Sequence, residues 1–353
     1  MRIIKSIFEI IVRIILVALV IVVMALVVVV SVSGPYVEPE EEVFEPEVLP
    51  SLNEMIPPGE RADALMSVSV LLDGDVVEMP MERYLMGVVA AEMPVSFPLE
   101  ALKAQAVAAR TIILYYMRVE PGTRHPDHPD AIACADNTCC MAYSRDEQLR
   151  ELWGDDYPGN INRVISAVLG TDGVYITYDG DPILAVFHSS SAGKTEASGN
   201  IWAVDLPYLQ SVDSPESAAQ IPDFISTEKF SYSEFTGIIT GAYPDAVFKK
   251  DDVESWITDL IYTENGRLSE LTAGGVTITS TELRTLFNLR STTVTVEWLE
   301  GEVVFTVCGF GHGVGMSQYG AASMAMDGMT YREILSAYYT GVEFAESYIR
   351  QSS

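Results

Sequence analysis

The stretch from Ile14 to Ser33 contains no charged residue, and Val, Ile, Leu and Ala make up most of it. As a helix rising ~1.5 Å per residue it reaches roughly 30 Å, the thickness of a bilayer's hydrocarbon core. A secretory leader has a shorter apolar core of ~7–15 residues, so the run predicts a retained signal anchor. Arg2, Lys5 and Arg13 precede it and acidic residues follow, an asymmetry that leaves the N-terminus in the cytoplasm. Residues 1–33 thus read as a cytoplasmic tip and one transmembrane helix. Everything from about Gly34 is expected on the extracytoplasmic side of the cell membrane.

Residues 34–58 are rich in Pro and Glu, including the run Glu38–Glu47. Self-repelling charge and proline predict an extended, unfolded linker. Residues 59–353 then form the globular part. With 50 acidic and 21 basic residues, the formal net charge is −29. No Lys/Arg cluster follows the anchor, which argues against nucleic acid as a partner and against tight binding of polyanions.

The globular part opens with a hairpin in which Ser67–Leu72 and Val76–Glu78 flank Asp73-Gly74, a strong tight-turn signal. A helix ending at Glu92 follows. A second starts at Pro98, a favoured first helical position. In it Leu99, Leu102, Ala106, Ala109, Ile113 and Tyr116 recur every three or four residues and predict one buried stripe. Val174–Tyr178 and Ile183–Phe187 read as a second hairpin, and Thr293–Trp298 and Val303–Val307 as later strands. Thr330 and Glu333 form a capping box for a last helix. Residues 206–288 read as a more helical insertion that forms a second lobe. Hairpins mixed with helices, with no βαβ rhythm, predict an α+β fold in two lobes around a cleft.

Glu92 is the carboxylate whose setting is unusual. Leu85, Val88 and Val89 lie at i−7, i−4 and i−3, so on a helix they share its face. Met93-Pro94 stops that helix, because a residue before proline avoids helical backbone. An acid on an apolar stripe in a last helical turn is pushed toward its protonated form by desolvation and by the helix dipole. That is how a general acid for neutral pH is made. The spacing fits equally well a last-turn Glu whose head reaches water.

Several blocks resemble one family. Gly87–Pro94 reads G-V-V-A-A-E-M-P, and Ser96–Thr111 reads S-F-P-L-E-A-L-K-A-Q-A-V-A-A-R-T. Further blocks are F-H-S-S-S-A-G-K-T-E (187–196), Y-L-Q-S-V-D-S-P (208–215), T-E-L-R-T-L-F-N-L-R-S-T (281–292) and G-F-G-H-G-V-G-M-S-Q-Y-G-A (309–321). Together they resemble, in order, the stage II sporulation protein D (SpoIID/LytB) domain family, from about Ser67 to Tyr348. The resemblance implies a membrane-tethered lytic transglycosylase that cuts peptidoglycan glycan strands during engulfment of the forespore. Glu92 falls at the family's catalytic position, and such an enzyme works with one carboxylate where ordinary glycosidases need two. It also implies a preference for strands stripped of stem peptides, a partner cell-wall amidase and a membrane scaffold protein, between the mother-cell and forespore membranes. The rival reading is a non-catalytic glycan binder that stimulates an amidase, as LytB-type relatives are thought to do.

The same resemblance marks candidate substrate-binding residues: Arg110, His188, Ser189, Lys194, Glu196, His312, Gln318 and Tyr319. Three of them have a plainer alternative. Arg110 equally suits an ion pair between packed helices. His188 opens a turn that Ser hydroxyls alone would cap. The glycines around His312 let a ligand approach the backbone, or serve only a tight turn. Ser191–Thr195 looks like the end of a P-loop but lacks the required first glycine, and no organic cofactor is expected.

Three cysteines cluster with a histidine in H-P-D-A-I-A-C-A-D-N-T-C-C (128–140). Some family members carry zinc here with the pattern H-x5-C-x4-H-C. His128, Cys134 and Cys140 match, and Cys139 replaces the second histidine. A Cys3His set is a sound tetrahedral zinc site, and with four protein ligands its role is structural. A disulfide from Cys134 to Cys139 or Cys140 is the alternative in an oxidising compartment. His125 is a further possible ligand, and Cys308 reads as a single buried thiol.

Overall fold

The computed structural model describes residues 52–56, 59–119, 127–202, 204–216, 218–249 and 251–346. The chain divides into a unit of residues 1–49 and one of residues 50–353, and every described residue lies in the second. The expected transmembrane helix, most of the linker, and His125 fall outside the described residues. Among those described, no helix is long and apolar enough to cross a membrane. The end of the expected linker is not extended, since Leu52–Met55 form a helical turn and Leu52 is buried.

The fold is α+β, with several small sheets around helices. Strands β1 (Ser67–Leu72) and β2 (Asp75–Pro80) pair antiparallel. Asp73 and Gly74 both take positive φ, 53° and 92°, as a type I′ hairpin turn demands. The two-residue strand β3 (Ala133–Cys134) adds to β1 in parallel. Helix α1 runs from Met81 to Glu92 and stops at Met93, whose backbone is extended ahead of Pro94.

Helix α2 (Leu99–Arg118) is the centre of the first lobe. The expected single stripe is too narrow a description. From Ala101 to Leu114 every residue except Lys103 is buried, whereas Leu99 is exposed. Alanines at 101, 104, 106, 108 and 109 keep the helix thin, so neighbours close on it from several sides. These are α1, α4 (Tyr157–Leu169), α7 (Gln318–Met326), α8 (Tyr331–Tyr338) and β4 (Val174–Tyr178). Helix α3 (Asp146–Trp153) packs on α4. The capping box at Thr330 and Glu333 starts α8 as expected.

The second expected hairpin forms only in its first two rungs. Asp179 and Gly180 make the turn with φ of 52° and 84°, and β5 is just Asp181–Pro182. Pro182 has no N–H to extend the ladder. The chain then leaves, and Phe187–His188 (β6) pairs in parallel with Met316–Ser317 (β13). The far edge of β4 is taken by β14 (Glu343–Glu346).

A separate hydrophobic core defines the second lobe, with Phe235, Ile239, Trp256, Leu271, Phe287 and Phe305 at its centre. One sheet has the order β11 (Thr293–Leu299), β12 (Glu302–Cys308), β7 (Ile225–Ser231); the other is β10 (Val276–Thr279), β9 (Leu268–Ala273), β8 (Ile257–Tyr262). Helices α5 (Tyr232–Ala242) and α6 (Ser280–Leu286) carry Ser231/Glu234 and Thr279/Glu282 capping boxes. Within 206–288, strands therefore outweigh the helix expected there. The core also recruits the β11–β12 hairpin, so this body runs from about Ile225 to Cys308.

Candidate active site and Cys3His cluster

A cleft of about 1140 Å³ is walled on one side by Glu92, Tyr84, Ile112 and Tyr116 from α1 and α2. The opposite side comes from the second lobe, with Thr281, Arg284, Thr285 and Asn288, while Phe187, His188, Ser189, Gly311, His312 and Gln318 also line it. Glu92 is the one carboxylate lining it among the described residues.

Leu85, Val88 and Val89 are fully buried beneath Glu92, as the shared helical face requires. Glu92 itself is half-buried, with its carboxyl at the cleft. Its Oε1 accepts from the backbone N–H of Ala142 at 2.6 Å, and its Oε2 from the Gln318 side-chain amide at 3.4 Å. Desolvation raises its pKa above the ordinary glutamate range, and the two hydrogen bonds oppose the shift without cancelling it. A carboxyl so placed carries a proton to higher pH than a surface acid does.

Gly87 makes the Ala142 contact geometrically feasible. A Cβ there would lie 2.3 Å from the Tyr143 ring and 2.7 Å from the Ser144 carbonyl. Without one, segment 142–144 lies flat on α1, with Ser144 N–H donating to Gly87 O at 3.2 Å and Tyr143 stacked on Tyr84.

That segment continues directly from the cysteine cluster. One donor atom from each of His128, Cys134, Cys139 and Cys140 lies within 4.8 Å of the others. His128 Nε2 is 3.2 Å from Cys140 Sγ, and the Cys139 and Cys140 sulfurs are 3.6 Å apart. A tetrahedral zinc with bonds of ~2.0–2.3 Å holds its donors roughly 3.3–3.8 Å apart; the 3.6 Å sulfur pair fits that spacing, and donors up to 4.8 Å apart would have to draw in around an ion. His128 Nδ1 faces the Ala131 carbonyl at 3.1 Å, so Nε2 is the ring nitrogen turned toward the sulfurs, as in histidines whose other nitrogen donates to a carbonyl while one binds metal. No disulfide joins the four described cysteines in this structure. Burial pushes the Cys139 thiol up to about 11 and that of Cys140 higher still. An ion would therefore have to displace protons on binding. Cys308 is single but only half-buried.

His188 and His312 meet at the back of the cleft, ring centroids 5.6 Å apart. His188 Nδ1 faces the Val314 carbonyl at 3.2 Å and Nε2 the Ser191 hydroxyl at 2.6 Å. His312 Nδ1 accepts from Val314 N–H. Burial, with help from nearby cations, lowers both rings; His312 falls to about 4. Both are neutral at physiological pH, set up as hydrogen-bonding groups and not as cations.

Other expected site residues lie elsewhere. Arg110 is fully buried, with Nε 2.9 Å from Asp63 Oδ1 and Nη1 donating to Val174 O at 3.0 Å. It makes the ion pair of the plainer alternative and is not among the residues lining the cleft. Lys194 is exposed beside Asp213 at 3.3 Å, outside the cleft wall, because the isolated bridge between residues 194 and 213 turns it away. Glu196 is buried between the lobes, accepting from Asn200 and Thr263. Tyr319 packs edge-on against Phe97, and neither it nor Glu196 lines the cleft. Glu92, His188, Ser189, His312 and Gln318 are brought together.

Some important groups gave no readable sequence signal. Buried Glu216 accepts from Ser191 N–H at 2.6 Å and Ser317 Oγ at 2.7 Å, tying the 188–191 turn to the start of α7. It directly follows the block at 208–215. Buried Arg267 lies beneath Gly313, where a Cβ would come within 2.3 Å of its guanidinium carbon and φ is +82°. Arg284 sits in the 281–292 block, whose residue pattern alone carries no chemical signature.

Residues 74–178 match the SpoIID family profile, described as stage II sporulation protein. Stage II sporulation protein D of Bacillus amyloliquefaciens is 38% identical over 275 residues, 77% of this chain and 76% of that protein. The Bacillus subtilis stage II sporulation protein D is 34% identical over the same length and shares of each chain. The Bacillus subtilis amidase enhancer is 30% identical over 305 residues, 73% of this chain but 39% of that protein. With the Glu92 cleft, the cysteine cluster and the ordered sequence blocks in one fold, these similarities establish that the chain belongs to the stage II sporulation protein D family.

Proposed function

We propose that this chain is a lytic transglycosylase that cleaves peptidoglycan glycan strands, with Glu92 as general acid and then base. Support comes chiefly from the half-buried Glu92 carboxyl, raised in pKa by desolvation and the one carboxylate among the described residues lining the cleft. Glu92 protonates the glycosidic oxygen between N-acetylmuramic acid and N-acetylglucosamine, and that C–O bond breaks. The muramic acid's C6 hydroxyl attacks C1, and Glu92 takes up the hydroxyl proton. The product is a 1,6-anhydro end, and no water is consumed. Ala142 N–H and Gln318 orient the carboxylate between these two transfers.

The wider setting belongs to the same proposal. Residues 14–33 anchor the chain in the cell membrane, and the cleft works outside the cytoplasm, on strands denuded of stem peptides during engulfment. A cell-wall amidase supplies those strands within a complex that includes a membrane scaffold protein. Zinc on His128, Cys134, Cys139 and Cys140 holds the loop that carries Ala142, a structural role.

Similarity to the amidase enhancer favours one other reading, a glycan binder that stimulates the amidase without cutting. Incubating denuded strands with the chain and with Glu92→Ala separates the two. The transglycosylase cuts and the variant binds without cutting. Intact binding with no cleavage by the unsubstituted chain would favour the enhancer.

A further inference from the structure

We infer that Arg284 is the receptor for the free lactyl carboxylate of N-acetylmuramic acid, so the cleft selects strands whose stem peptides are gone. This inference rests on the glycan reading of the cleft and names what discriminates within it.

Arg284 lies in the last turn of α6 and lines the same cleft as Glu92. Its Nε donates to the Leu289 carbonyl at 3.1 Å, which fixes the guanidinium plane. No carboxylate pairs with it among the described residues, in a chain with 50 acidic residues against 21 basic ones. It is the one Lys or Arg among the residues lining the cleft. A second cation stands close by. Arg267 is buried, and its Nη2 has no hydrogen-bond partner. Arg284 lies near enough to help depress the pKa of both Arg267 and His312. The carboxylate near Arg267, Glu196, already accepts from Asn200 and Thr263. This wall of the cleft is therefore locally positive in a strongly negative protein.

The substrate's chemistry fits that charge. While a stem peptide is attached, the lactyl group is a neutral amide. Its removal by hydrolysis leaves one carboxylate per disaccharide. A denuded strand is thus a polyanion approaching a protein of net charge −29, and long-range repulsion opposes binding unless the cleft holds a matching cation. An Arg with its plane fixed and its Nη groups free presents a fork that accepts a carboxylate in two parallel bonds. A neutral lactyl amide offers no charge to that fork, and burying the Arg beside it leaves the charge uncompensated.

The test uses the full chain carrying Glu92→Gln, so that bound glycan is not turned over. Binding is measured for a denuded muramic acid–glucosamine oligosaccharide and for the same oligosaccharide with its lactyl carboxylates converted to amides. The carboxylate form should bind ~10-fold tighter, a charge-assisted pair's worth, and more salt should erode that preference. Adding Arg284→Gln keeps a donor for Leu289 O and should abolish the preference while the amide form still binds, which also shows that the variant is folded. Arg284→Lys should retain part of it. A Gln variant that still discriminates, or a salt-insensitive or absent preference with Arg284 intact, overturns the inference. If the preference follows Arg284 but the unsubstituted chain cuts no glycosidic bond, the transglycosylase reading falls and this one stands. If neither form binds, the glycan reading falls and takes the inference with it.

Discussion

The backbone amide of Ala142 donates to Glu92 Oε1 at 2.6 Å, and Ala142 lies two residues past Cys140 in the chain. The cysteine cluster and the proposed catalytic acid are thereby mechanically linked. Loosening the cluster should disturb Glu92 before it disturbs the rest of the cleft.

Cys134→Ser should lower zinc content and thermal stability together, and reduce turnover more than glycan affinity. Metal analysis, thermal melting and a kcat-against-KM comparison check this. Chelation of the unsubstituted chain should act in the same direction and be reversed by added zinc. A chain that purifies without zinc and melts like Cys134→Ser would remove the metal from the account.

Glu92→Gln should lower kcat by ~10²–10⁴, the usual contribution of a general acid. Because burial raises the Glu92 pKa, its alkaline rate limb should lie above that of an ordinary glutamate. Stability follows from the same shift. The carboxyl's contribution is complete below its unfolded pKa and is lost as pH rises through the raised folded value. The Gln variant lacks this dependence, so its stability should gain on that of the unsubstituted chain between acid and neutral pH, as paired denaturation curves would show.

Arg110 and Asp63 form a buried pair, both almost fully excluded from solvent. Removing either partner strands a buried charge, so Arg110→Ala or Asp63→Ala should each cost about 3–5 kcal/mol. Urea denaturation measures this directly. A glycan-binding Arg110 would instead leave stability intact and weaken affinity.

Gly87→Ala should push segment 142–144 off α1, because the new methyl meets the Tyr143 ring and the Ser144 carbonyl. Overpacking of this kind costs about 1–3 kcal/mol. Lost alignment of Ala142 on Glu92 should lower kcat more than it raises KM, measured on the same denuded strands.

Local patterns were legible wherever periodicity or turn chemistry fixes structure on its own. The Asp73-Gly74 hairpin, the stop at Met93-Pro94 and the Thr330 capping box all follow from neighbours in sequence. The apolar face under Glu92 did too, since the helical period alone brings Leu85, Val88 and Val89 to it. Arg110 was ambiguous because its partner Asp63 lies 47 residues away, and only tertiary packing tells a buried ion pair from a ligand contact. The second hairpin failed because β6 pairs instead with β13, whose partner residues lie 129 positions on. Arg284 escaped notice for the same reason: its significance depends on which wall it faces and on which acids do not reach it.

The most direct test of the central claim is mass spectrometry of the products formed from denuded glycan strands. Glu92 acting alone as acid and base predicts 1,6-anhydro-muramic acid ends that disappear in Glu92→Gln. Reducing muramic acid ends would mean water is the nucleophile, and would contradict a mechanism built on one carboxylate.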